Sequence, residues 1–266
     1  MRRFIMSALV AVTAIGVLFS LGDAQQGDKK SIVTTSPNAS WYFFSFDADI
    51  DTALEFVDEL DSFVQMDGTD KIEIVSAQAA DTKQRLRITG ISKFDSTLRT
   101  EYMRTNGTTV VTSVDSFYAF EHAVIDSGVD ATGAITIRNA NGDATIATIT
   151  IGQTQTYEAQ KFFMRGSSGY VTQWTAGVTS TTGTVKFELR AYPDYTDVRD
   201  MGDGYAVVDV IMLPAALGGE THVFNPPRLI DSAYGFLTVF AIGGANNSDG
   251  YVSVEGYTRS APRDQY

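Results

Sequence analysis

The 266-residue chain carries 20 Lys and Arg against 32 Asp and Glu, a formal net charge of −12, and that balance repels phosphate backbones, so no nucleic-acid partner is expected. Its 44% hydrophobic and 11% aromatic content supplies ample material for a packed core and excludes a disordered chain. It has no cysteine, which removes disulfides and thiolate metal ligands without fixing the compartment.

Arg2 and Arg3 precede an uncharged run over residues 4–21, and Gly22-Asp23-Ala24 places small residues at its first and third positions. That is the order of a secretory signal cleaved after Ala24. Uncut, the run would anchor the chain, since roughly 20 apolar residues span a bilayer. Residues 1–24 are therefore expected to be a signal-like or anchor segment and the only part with membrane affinity. Residues 25–70 follow as a polar arm to Ser40, a short aromatic strand over 41–46, and a helix. Ile50, Leu54, Val57, Leu60 and Val64 recur at spacings of three and four, which predicts an amphipathic helix from Asp49 or Asp51 to about Phe63.

From Lys71 the pattern changes to strands. Ile72, Ile74 and Ser76 alternate with other residues, and Leu86 and Ile88 alternate with Arg85 and Arg87 up to Gly90, read as the strand's end. Residues 97–104 and 109–114 flank Thr105-Asn106-Gly107-Thr108, an Asn-Gly hairpin signal. A strand over 117–125 leads into residues 133–192, which glycines cut into short strands. The clearest covers 184–192, with Val185, Phe187, Leu189 and Ala191 on one face. After an acidic loop over 193–204, strands are expected over 205–213, 221–224, 228–230, 234–242 and 251–257. About fourteen short strands predict an all-β, antiparallel, jelly-roll-like β-sandwich, as one sandwich or two, with one short helix near the N-terminus. Residues 71–192 form the expected sandwich domain, and 193–266 either complete it or form a second β domain, with the 193–204 loop as the seam.

Catalytic material is sparse. His122 and His222 stand without an HExxH motif, and a zinc site needs three or four ligands, so both read as strand histidines. Gly166-Ser167-Ser168-Gly169 reads as a turn, because a nucleophile elbow requires a following helix. Asp47, Asp49 and Asp51 begin like a calcium loop, but Thr52 stands where glycine is needed and Asp58 where glutamate is. Asp194, Asp197, Asp200 and Asp203 share one loop and are the candidate ligands of a hard cation, beside the ordinary reading of an exposed acidic loop. No catalytic set and no cofactor site emerge, so a non-enzyme is expected. Residues 205–213 are apolar on both parities, with Ala206, Val208, Val210 and Met212 on one and Tyr205, Val207, Ile211 and Leu213 on the other. Such a strand is covered on both sides, by a second domain, by the helix of 51–63 or by another subunit; in the last case Val208 and Val210 are the candidate interface of a homo-oligomer.

Ala80-Asp81-Thr82, Ile88-Thr89-Gly90, the run from Asn106-Gly107 to Thr112, Phe117, Ser127-Gly128, Gly133-Ala134-Ile135-Thr136-Ile137 and the run from Ile149 to Thr156 together resemble, in order and spacing, a family of virion structural proteins common in tailed-phage genomes, marine ones especially. The resemblance covers roughly residues 71–190 and extends more loosely to Tyr257. Where such proteins continue with a Tyr-Thr-Val-Pro-Ala-Gly-like strand and turn, this chain has Phe162-Phe163-Met164-Arg165-Gly166. It implies a decoration, tail or fibre-associated component whose partners are copies of itself and other virion proteins. The signal-like N-terminus points instead to an exported bacterial envelope module that recognises a glycan or a protein.

Overall fold

Period-two burial marks the strands. In β4 (Ile72–Ser76), Ile72 and Ile74 are fully buried while Glu73 and Val75 are half-buried, and in β9 (Ile135–Asn139), Ile135 and Ile137 repeat the pattern. The computed structural model describes residues 32–33, 38–58, 64–66, 71–93, 97–140, 144–164, 166–180, 183–193, 204–214, 218–231, 235–245 and 248–260. The described residues contain seventeen strands and no helix, and every strand pairing is antiparallel.

Two sandwiches result. The first pairs a sheet ordered β1 (Ile32–Val33), β6 (Leu98–Arg104), β5 (Arg85–Ser92), β8 (Phe117–Ile125) with one ordered β10 (Thr145–Ile149), β9, β4, β7 (Val111–Thr112). Ile72, Leu86, Ile88, Phe117, Phe120 and Ile137 fill its core. The second pairs a sheet ordered β11 (Gln160–Phe162), β16 (Phe236–Gly243), β13 (Val185–Tyr192), β14 (Ala206–Leu213), with β3 (Glu55–Phe56) also on β16, against one ordered β15 (Gly218–Ile230), β12 (Ser167–Ser180), β17 (Ser248–Ser260), β2 (Asn38–Ile50). Trp174, Phe187, Phe240, Trp41 and Val254 lie in its core, and burying each such side chain stabilises by about 1.5–3 kcal/mol. Close packing extends to Gly256, where a Cβ would stand 2.2 Å from the Tyr170 carbonyl and 2.3 Å from the Trp41 ring.

The chain begins the second sandwich with β2 and β3, builds the first sandwich, and returns at β11. Strand β2 pairs with β17 from Asn38 opposite Arg259 to Ile50 opposite Ser248. Residues 194–203 lie outside the described residues, and β13 and β14, which flank them, pair in one sheet of the second sandwich.

Several expectations change. The helix is not formed where its residues are described: β2 runs through Ile50, β3 covers 55–56, and Ile50 and Val57 are buried between strands; residues 59–63 lie outside the described residues. Of its spaced apolar residues, Ile50, Leu54 and Val57 pack on the second core and Val64 on the first. Strand β5 continues past Gly90, where a Cβ would come within 2.4 Å of the Ala119 carbonyl, so this glycine allows close approach and does not end the strand. At the Asn-Gly turn Thr109 N–H donates to Asn106 O at 3.1 Å and Gly107 has φ 59°, yet β6 pairs with β5 and β7 with β4. The turn therefore carries the chain from one sheet of the first sandwich to the other and closes no hairpin.

A bulge at Val207–Asp209 shifts the parity of β14. Val208 is 8% exposed and belongs to the second core, Val210 is half-buried, and Val207 and Met212 are the exposed apolar residues, at 49% and 59%. Val208 thus belongs to the core of its own chain, and within one chain the outer side of the strand, with Val207 and Met212, is left exposed. Val208→Asp is expected to unfold the second sandwich by burying an unpaired charge, seen as loss of the far-ultraviolet strand signal, with no folded monomer released in light scattering.

Candidate functional site

A recess lies where the two sandwiches meet. It has a volume of about 520 Å³ and is walled on one side by the edge strand β2, including Tyr42 and Phe44, and on the other by the outward face of β5, β6 and β8, including Arg87, Thr100 and His122. Residues drawn from 155–164, with Thr258 of β17, complete its lining. Cavities of roughly 300–1,000 Å³ hold small ligands.

The floor is a polar lock between β8 and β11. Gln65 Nε2 donates to Phe120 O at 2.8 Å and to Gln160 Oε1 at 2.9 Å, while Phe120 N–H donates to Gln65 Oε1 at 2.9 Å. Gln160 Nε2 donates to Glu121 O at 3.1 Å. Beside them Lys161 Nζ donates to Glu121 Oε1 at 2.7 Å and Phe162 N–H to Glu121 Oε2 at 3.3 Å. His122 Nδ1 lies 3.7 Å from Glu121 Oε1. Burial pushes the Glu121 carboxyl up, but the Lys161 charge and the contacts of His122 outweigh it and draw it down to about 2. Glu121 is therefore an ionised, satisfied carboxylate with no spare basicity at neutral pH, which makes it a poor general acid or base.

On the same walls the arginines are arranged differently. Arg85 stands directly opposite Arg104, and Arg87 opposite Tyr102. Asp126 engages Arg85, with Nε to Oδ1 at 2.8 Å, and the Arg85 guanidinium lies 5.2 Å from the centre of the Tyr102 ring. Arg87 and Arg104 are exposed and have no hydrogen-bond or ionic partner among the described residues.

The other histidine joins the two sheets of the second sandwich. Asp209 on β14 accepts from Trp174 Nε1 at 2.8 Å and makes a short hydrogen bond with His222 Nδ1 of β15; His222 Nε2 lies 2.9 Å from Glu220 Oε1. Hydrogen bonding to Asp209, helped by Glu220, pushes His222 above its usual 6.5 despite partial burial. A raised folded-state pKa means this contribution is complete below about pH 6.5 and is lost as pH rises through the folded value. The melting temperature is expected to fall on going from pH 6.5 to more alkaline buffers, and His222→Gln should flatten that slope.

Asp194, Asp197, Asp200 and Asp203 lie outside the described residues, as does the 1–24 segment. Among the described residues no group of three or more His, Asp or Glu is placed to hold a metal ion, and no helix is long and apolar enough to cross a membrane. His122 and His222 are strand residues on different sandwiches. Sequence reasoning missed the Glu121–Lys161 lock; its signal was a charge beside aromatic residues in each of two segments, Phe-Glu-His-Ala and Gln-Lys-Phe-Phe. No protein-family model, curated protein or solved structure matches the chain.

Proposed function

We propose that the chain is a non-enzymatic structural protein of a tailed-phage particle that works by binding copies of itself and neighbouring virion proteins. The observation that carries this reading is the exposed margin of the second sandwich. Strand β15, the edge of its sheet, is at least partly exposed at every residue but Ile230, with Val223 at 69% and Leu229 at 52%. Strand β14, the edge of the facing sheet, adds Val207 and Met212. Long exposed edges invite pairing with another chain; Pro226 and Pro227 in the middle of β15 oppose indiscriminate strand addition and favour a side-chain contact. The resemblance over residues 71–190 supports the same reading, and the satisfied state of Glu121 gives no support to acid–base catalysis. Mass spectrometry of gradient-purified particles tests it: the chain is expected at a fixed ratio to the major capsid protein, and its absence from particles would refute the assignment.

A further inference from the structure

We infer that the inter-sandwich cleft, with the adjoining outward face of β5 and β6, binds a saccharide bearing a carboxylate, whether or not the chain belongs to a particle. The first observation is the cross-strand pair of Arg85 and Arg104. Like charges directly opposite each other destabilise a sheet, and here they occur in a chain with a net charge of −12 that has acidic residues to spare. Asp126 neutralises Arg85, but Arg87 and Arg104 on the same face have no partner among the described residues. An anion from outside the chain would supply what the fold withholds.

The second observation is the character of the recess that Arg87 enters. Tyr42, 57% exposed, stands on the β2 wall, and Tyr102, 46% exposed, lies on the ladder opposite Arg87. In the lining of the recess Thr89, Thr100 and Gln155 supply hydroxyl and amide groups. A guanidinium matches a carboxylate with two parallel hydrogen bonds. Tyrosine offers a flat apolar ring with a polar edge, suited to the C–H face of a sugar, and hydroxyls and amides both donate and accept, as sugar hydroxyls require. Two carboxylates, Glu121 and Glu158, also line the recess; both are nearly buried, Glu121 is engaged by Lys161 and the Phe162 N–H, and Glu158 is not free either, so neither is turned to the arginine. A volume of about 520 Å³ falls in the small-ligand range of roughly 300–1,000 Å³ and suits one or two sugar residues. An acidic peptide would use the arginines and leave the hydroxyl lining unused; a nucleic acid would meet the repulsion of the whole chain.

The test titrates the full chain, by calorimetry, with sialyllactose and trigalacturonate beside their neutral counterparts lactose and galactotriose, and with hexaglutamate and an oligothymidylate. At least one carboxylated saccharide is expected to bind saturably and at least about tenfold more tightly than its neutral counterpart. Which of the two binds identifies the type of acid. Arg87→Ala should weaken that binding about tenfold or more, Arg87→Lys less, and Lys71→Ala, a charge removed from another sheet, not at all. Should Arg87→Ala fail to fold, Tyr42→Ala on the facing wall takes its place with the same expected direction. Equal affinity for the neutral sugars, tighter binding of hexaglutamate or the oligothymidylate, or no saturable binding by roughly 10 mM overturns the inference, as does undiminished binding by a folded wall variant.

Discussion

Asp81→Ala is expected to destabilise the protein by about 3 kcal/mol or more and to lower its melting temperature by roughly 10 °C. Asp81 is 1% exposed, and its carboxylate is the hub of a network. It accepts from Ser76 Oγ at 2.6 Å, from Thr132 N–H at 2.9 Å and Oγ1 at 2.8 Å, from Gly133 N–H at 2.9 Å and from Gln84 Nε2 at 3.3 Å. The Asp81 backbone carbonyl accepts from Gly107 N–H at 2.8 Å, and the Gly107 carbonyl accepts from Ser76 N–H at 3.1 Å. One residue thus ties the end of β4, the Asn-Gly turn and the approach to β9. Burial alone would push this carboxyl up, but the bonds from Ser76, Thr132 and Gly133 outweigh it and hold it below its usual value. Alanine would strand buried backbone N–H groups at Thr132 and Gly133, and an unsatisfied buried donor costs about 1–3 kcal/mol. Differential scanning calorimetry provides the check; a melting temperature within a degree or two of the native one would show that water replaces the carboxylate at no cost.

Lys161→Ala should have a comparable effect by a different route. It leaves Glu121 ionised and buried between the sandwiches, and breaking one partner of a buried ion pair costs about 3–5 kcal/mol. Replacing both, as Glu121→Gln with Lys161→Met, should restore most of the loss, because the desolvation of both charges disappears with their attraction. The pair also sets an acid limb. With its folded-state pKa lowered from 4.5 to about 2, Glu121 contributes stability that is complete above about pH 4.5 and is lost as pH falls toward 2. Denaturant melts from pH 5 downward should lose stability across this window, and Glu121→Gln should flatten the loss. A Lys161→Ala protein as stable as the native one would mean that the lock is solvated.

The contrast between these two sites shows what the sequence exposes. Gly107 was visible as a turn residue and Gly133 was not, and both prove to serve the Asp81 network: a Cβ on Gly107 would stand 2.6 Å from the Ala79 carbonyl, and one on Gly133 would stand 2.9 Å from Gln78 N. Alternation in β4, β9 and β13 located strands because one pleat face of each enters a core. Partnership was not legible, since period two says that a face is buried and not against which strand. Nothing local to residues 41–46 announces that they pair with β17, and nothing in Glu121 announces Lys161. The spacing of Ile50, Leu54 and Val57 predicted a helix because an irregular anchor and a helical stripe can place apolar residues at the same intervals. The parity of β14 was misread for a related reason, as a one-residue bulge reverses every assignment beyond it.

The contacts proposed for the exposed edges of the second sandwich are tested most directly by cross-linking mass spectrometry on intact, purified particles. The account predicts links from this chain to other copies of itself and to at least one further virion protein, clustering near β14 and β15. Particles lacking the chain, or a chain whose links run only to proteins of the bacterial envelope, would contradict it.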